Sequence, residues 1–180
     1  EVGAFDGTVD TTGNVPVFEE ALLVRPCPQT VVATALLGPS MAAEEFRTLA
    51  ARVRTLDSQR PLRCIGIVSA VVGEGKSSVA AGLAGALAQS SGRVLLIEGD
   101  LRRGMLGGNL GLSPFSGVAE WLRQGIEPLP VRQVAPPGFF LLSAGQKLDP
   151  YAKVAFASST EMVRMKALLE ESRRSFDYVL

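Results

Sequence analysis

The chain has 180 residues, 47% of them hydrophobic and 6% aromatic, a size and make-up that suit one α/β domain and exclude a disordered polymer. Lys plus Arg and Asp plus Glu both total 18, so the zero net charge offers no general affinity for nucleic acid. Histidine is absent, which excludes Ser/His and Cys/His catalysis and most zinc sites, and the two cysteines, Cys27 and Cys64, supply neither a disulfide framework nor a metal-ligand spacing. No apolar run approaches the ~18 residues of a membrane span and no secretory leader opens the chain, so a cytoplasmic location is expected.

Residues 1–40 hold Gly3, Gly7, Gly13, Pro16, Pro26, Pro28, Gly38 and Pro39 without sustained periodicity. They are expected as an extended or loosely ordered arm, with residues 15–24 as a short ordered piece. Ser40 is placed to cap a helix over about residues 41–56, with Glu44 and Glu45 in its early turns and Phe46, Leu49, Val53 and Leu56 as its buried stripe. After Arg60-Pro61, the apolar run 63–69 predicts a parallel strand covered on both faces, which would bury Cys64 as an inert thiol.

Residues 70–78 read Ala-Val-Val-Gly-Glu-Gly-Lys-Ser-Ser, between that strand and a small-residue-rich helix over about 77–89. Strand, glycine loop and helix in this order make a phosphate-binding loop. Gly73 and Gly75 let the backbone turn its N–H groups inward, and the helix N-terminus adds partial positive charge at the same place. Together with Glu74 and Ser78, they frame Lys76, which would reach the outer phosphates of a nucleoside triphosphate, and Ser77, whose hydroxyl suits Mg²⁺. Ala70 stands where the usual G-x-x-x-x-G-K-[ST] pattern has its first glycine. A solvated Gly-rich connection is the plainer alternative.

Residues 93–97 predict a second buried strand that delivers Glu98 and Asp100 at its carboxyl end, the edge where open α/β sheets bind ligands. These carboxylates are either neighbours of Ser77 that hold Mg²⁺ or orient a nucleophile, or a solvated turn with Asp100 as a cap. Further along come a helix over 116–124 anchored by Trp121, a strand over 139–143 after Pro136-Pro137-Gly138, and a helix over 161–173 with Met162, Met165, Leu168 and Leu169 inward. An apolar strand begins at 176, and the printed sequence ends within it at Leu180. Alternating strands and helices predict a doubly wound, mostly parallel sheet in a three-layer α/β/α P-loop NTPase fold, C-terminally truncated.

The stretch SAVVGEGKSSVAAGLAGALAQSSGRVLLIEGDLRRGML resembles the bacterial tyrosine autokinases (BY-kinases) of polysaccharide export, relatives of the ParA/MinD partitioning ATPases. That family pairs its phosphate loop with a motif of three apolar residues followed by D-x-D-x-R, matched here by Leu95-Leu96-Ile97 and Glu98-Gly99-Asp100-Leu101-Arg102. Ala43 to Leu49, Leu141 to Gly145 and the closing Phe176-Asp177-Tyr178-Val179-Leu180 match as well, so the resemblance spans about residues 40–180. It implies a nucleotide-binding domain over 41–180, incomplete at its C-terminus, with ATP and Mg²⁺ as cofactors. It also implies homo-oligomers, a membrane polysaccharide co-polymerase as partner, and a position at the inner face of the cell membrane.

Lys76, Glu98 and Asp100 take catalytic roles in this reading, Gly73 to Ser78 bind the nucleotide, and Ser77 and Asp100 bind the metal. Glu98 stands where the family has Asp, and the ring-assembly motif E-x-x-R-x-x-R appears as Glu44, Arg47 and Ala50. The family's next acidic motif would fall after Leu180. Its C-terminal tyrosine cluster has no counterpart here, where Tyr151 and Tyr178 are the tyrosines. A partitioning-type ATPase and a nucleotide-binding pseudokinase scaffold are the alternatives to a kinase.

Overall fold

The computed structural model describes residues 16–19, 22–25, 40–110, 112, 116–125, 128–134, 138–146 and 159–180. Cys27, Tyr151 and most of residues 1–40 lie outside these. Within the stretch expected as an arm, Leu22–Val24 forms strand β1 and joins the sheet, and Phe18 bridges to Leu129 beside it.

Helix α1, Met41–Gln59, starts where Ser40, in an extended conformation, accepts the Ala43 N–H on its Oγ at 3.1 Å. It stops at Arg60, held extended (φ −148°, ψ 119°) in front of Pro61. Its packing face consists of Phe46, Ala50 and Val53, whereas Leu49 and Leu56 remain 36% and 55% exposed. The expected stripe is therefore turned about the helix axis. The cause lies in helix α2, Lys76–Ser91, whose Gly82 leaves room for the Phe46 ring where a Cβ would collide with it. Contact through a glycine draws the α1 backbone in on the Phe46–Ala50 side and lifts the Leu49–Leu56 flank away.

Strands β2 (Val94–Ile97), β3 (Arg132–Val134), β4 (Phe139–Leu142) and β5 (Tyr178–Val179) complete a sheet of order β1-β3-β4-β2-β5. β2 pairs parallel with β4 and β5, and β1 with β3; among the described strands β3 and β4 alone run antiparallel, and the Gly138 N–H reaches the Val134 carbonyl at 2.6 Å. Side chains along β2 alternate between two cores. Val94 and Leu96 pack with α1 and α2, while Leu95 packs with helices α4 (Val118–Gln124) and α5 (Ser159–Ser175). The result is the expected three-layer α/β/α arrangement, with helix α3 (Leu106–Asn109) closing one end of the first core. Trp121 is fully buried as a packing anchor. Met162, expected inward, is 64% exposed, and α5 packs instead through Met165, Leu168 and Leu169.

The strand expected over 63–69 is reduced to one bridge, Cys64 with Val179. Val179 N–H reaches the Arg63 carbonyl at 3.0 Å and Ile65 N–H reaches the Val179 carbonyl at 2.8 Å. Among the described residues this ladder does not continue past Ile65, and Val68 is 90% exposed and Cys64 exposed rather than buried.

Candidate functional site

β2, β4 and β5 run parallel, so their carboxyl ends open on one edge, and the 70–75 loop enters α2 at that edge. Gly73 and Gly75 adopt φ of 89° and 88°, left-handed values that a side chain disfavours, and open space surrounds the position of a Cβ at either. Among the described residues no side chain caps α2, so its first-turn N–H groups are left for a ligand. Glu74 folds back within the loop and accepts the Val71 N–H on Oε2 at 3.1 Å.

The two motifs meet at the start of α2. Lys76 Nζ donates to Asp100 Oδ2 at 3.1 Å, across 24 residues of sequence, and Asp100 Oδ1 accepts the Arg103 N–H at 3.2 Å. Burial pushes the Asp100 carboxyl up, but the Lys76 hydrogen bond, the Arg103 N–H and the charges of Lys76 and Arg102 outweigh it and hold the carboxyl below its usual value. Both partners are about a third exposed, so the pair is screened and exchangeable rather than locked. Lys76, Ser77, Glu98, Asp100 and Arg102 form the polar end of a cavity of about 760 Å³, whose other walls include Ile67, Leu96, Leu169 and Leu180. Gly73, Glu74, Gly75 and Ser78 border the loop without lining this cavity.

Glu98 is placed differently from Asp100. It is 9% exposed, and its carboxylate accepts the Leu106 N–H at 2.6 Å and the Ala144 N–H at 3.1 Å. One side chain therefore ties the end of β2 to the start of α3 and to the loop leaving β4. Spacing alone did not reveal these partners. The available signal is Gly104, where a Cβ would come within 2.6 Å of the Ala144 Cβ, marking a close approach of the two loops.

A hydroxyl and a carboxylate beside an uncapped helix start are oxygen donors that suit Mg²⁺ carrying phosphates and water, so Ser77 and Asp100 fit that ion. Among the described residues no cluster of three or more His, Cys, Asp or Glu offers a metal cage of the protein's own.

No protein-family model matches the chain. Tyrosine-protein kinase ptk of Acinetobacter johnsonii is 32% identical over 142 residues, covering 78% of this chain and 19% of that protein. The succinoglycan biosynthesis transport protein ExoP of Rhizobium meliloti is 31% identical over 154 residues, covering 78% of this chain and 18% of that protein. The solved kinase domain of Escherichia coli tyrosine kinase ETK superposes with a TM-score of 0.67 at 29% identity, covering 81% of this chain and 56% of that domain. The chain belongs to the BY-kinase family. It spans about a fifth of the length of the two curated relatives. In this BY-kinase chain Ala50, at the third position of the ring motif, is 1% exposed against α2, and Arg47 pairs along α1 with Glu44. Among the described residues no helix is long and apolar enough to cross a membrane.

Proposed function

We propose that residues 41–180 form the nucleotide-binding part of an ATP- and Mg²⁺-dependent protein tyrosine autokinase that regulates polysaccharide (capsule or exopolysaccharide) synthesis and export. The observation that carries this reading is the Lys76–Asp100 contact, which joins the two motifs at one cavity. The names of the kinase relatives and of the transport protein ExoP support it. By the same analogy the chain acts at the inner face of the cell membrane, beside a polysaccharide co-polymerase, as a homo-oligomer.

Lys76, now paired with Asp100, would hold the outer phosphates, which the N–H groups of residues 73–78 would cradle, and Ser77 and Asp100 would hold Mg²⁺. A bound Mg²⁺ would neutralise charge on the transferring phosphoryl group. Arg102, on the cavity wall, adds positive charge near the acids. Glu98 would accept the proton of an incoming tyrosine hydroxyl on a lone pair that its two backbone N–H bonds leave free, although those bonds make the carboxylate a weaker base. That engagement specifically favours a second reading, a nucleotide-binding scaffold without transfer.

Incubation with Mg-ATP and an acidic tyrosine-containing copolymer, followed by anti-phosphotyrosine detection, tests the proposal. Phosphotyrosine is expected, reduced ~10²-fold or more by Asp100→Asn. Phosphate release without phosphotyrosine would identify a partitioning-type ATPase. Nucleotide binding with neither product would identify the scaffold.

A further inference from the structure

The turn that carries Asp100 is closed on itself. Glu98 leaves β2 with its N–H donated to the Leu142 carbonyl at 2.9 Å, and its carboxylate reaches across the turn to accept the Leu106 N–H at 2.6 Å. Inside this loop Asp100 is held twice: the Gly104 N–H reaches its carbonyl at 2.7 Å, and the Arg103 N–H reaches Oδ1 at 3.2 Å. Oδ2 is left to face Lys76 Nζ at 3.1 Å.

The second Glu98 oxygen accepts the Ala144 N–H at 3.1 Å, which fixes the loop against the segment leaving β4. That segment is itself anchored, since Val118 and Ala119 of α4 donate to the Ser143 and Ala144 carbonyls at 3.0 and 2.9 Å. The seam between loop and segment has no spare room: a Cβ at Gly104 would stand 2.6 Å from the Ala144 Cβ and 3.5 Å from both the Asp100 carbonyl oxygen and Glu98 Oε2. A buried carboxylate bonded to the N–H groups of two segments sets their separation, and such charge-assisted bonds are stronger than neutral ones. Aspartate at this position, one methylene shorter, does not span both.

We propose that Glu98 is a positioning residue for Asp100. By closing residues 98–106 into a loop and tying it to the segment after β4, it holds the Asp100 carboxylate on the cavity that Lys76 and Ser77 also line. A metal ligand ordered in advance loses less conformational freedom when the ion arrives. This role rests on the nucleotide reading and deepens it, being exerted in Mg²⁺ binding and independent of any proton transfer at Glu98.

ATP binding to the 180-residue chain is measured in EDTA and across a Mg²⁺ series, with thermal melting alongside. Glu98→Asp keeps the charge and is expected to raise the Mg²⁺ concentration for half-maximal binding ~10-fold or more, with ATP affinity in EDTA equal to the parent's. Gly104→Ala, which wedges the seam while leaving Glu98 intact, is expected to give the same shift. Adding Ala144→Gly carries the methyl group from one side of the seam to the other, and the double variant is expected to regain the parental Mg²⁺ response. A parental response in either Glu98→Asp or Gly104→Ala, an equal loss of ATP affinity with and without Mg²⁺, or no recovery in the double variant would overturn the proposal. A lowered melting temperature does not rescue it, since a purely structural tie gives that alone. A parent that binds no ATP at any Mg²⁺ concentration would overturn the nucleotide reading as well.

Discussion

The Tyr178 hydroxyl donates to Asp57 Oδ2 at 2.9 Å, while Asp57 Oδ1 accepts the Leu62 N–H at 2.6 Å, so one exposed-side carboxylate ties the turn after α1 to β5. The Leu62 N–H and the Tyr178 hydroxyl hold the Asp57 carboxyl below its usual 3.8. Burial, then the bond to Asp57 and its charge, push the Tyr178 phenol above 10.0. A lowered carboxyl contributes stability above its unfolded pKa and loses it as pH falls through the folded one; a raised phenol contributes below its unfolded pKa and loses it as pH rises through the folded one. Tyr178→Phe should therefore lower the melting temperature modestly by an amount that is constant between the usual values of 3.8 and 10.0 and shrinks outside them. A difference that varies across neutral pH would contradict this tie. Local structure was legible in sequence where local order decides it: Gly75-Lys76-Ser77 opens α2, and Ser40 before an acidic first turn reads as a cap. The Asp57–Tyr178 and Glu98–Ala144 contacts were not legible, because they join residues 121 and 46 positions apart and depend on how layers stack.

At the scale of elements, α4 and the loop after β4 are locked together at the carboxyl edge of the sheet. Val118 and Ala119 donate to the carbonyls of Ser143 and Ala144 at 3.0 and 2.9 Å, and Glu120 accepts the N–H groups of Gly117 and Gln146 at 2.8 and 3.0 Å. This approach depends on Gly117, where a Cβ would lie 2.6 Å from the Gly145 nitrogen and 2.9 Å from the Ser143 carbonyl carbon. Backbone cannot yield as a side-chain tip can. Gly117→Ala should cost about 3 kcal/mol in urea unfolding, since it adds overpacking and strains the hydrogen bonds that hold α4. It should also disturb the Ala144 N–H that Glu98 accepts. A loss below about 0.5 kcal/mol, the scale of a neutral surface change, would show that the contact is slack. Elements were legible where apolar period and punctuation agree, as in α1 before Pro61 and α2 before Gly92. β3 was not, because Arg132-Gln133-Val134 carries no alternation and acquires its strand form from pairing with β1 and β4. Residues 63–69 err in the opposite direction: their apolar run reads as a strand, but a strand also requires a neighbour.

Over the whole molecule, the parallel sheet gathers chemistry from distant parts of the chain to one edge. Lys76 arrives at the start of α2, after the loop that follows the Cys64 bridge, and Asp100 on the turn after β2, and they meet at 3.1 Å. The three-layer topology followed from the alternation of strands and helices alone. The antiparallel β3–β4 pair and the rotation of α1 did not, since both depend on packing that no local pattern encodes. The central claim is that this edge binds a nucleoside triphosphate through Lys76, and calorimetric titration of Mg-ATP into the chain and its Lys76→Ala variant tests it most directly. Saturable 1:1 binding by the parent, weakened ~10²-fold or more in the variant with an unchanged melting curve, is the predicted result. Equal affinity in both proteins, or no binding by the parent, would contradict it.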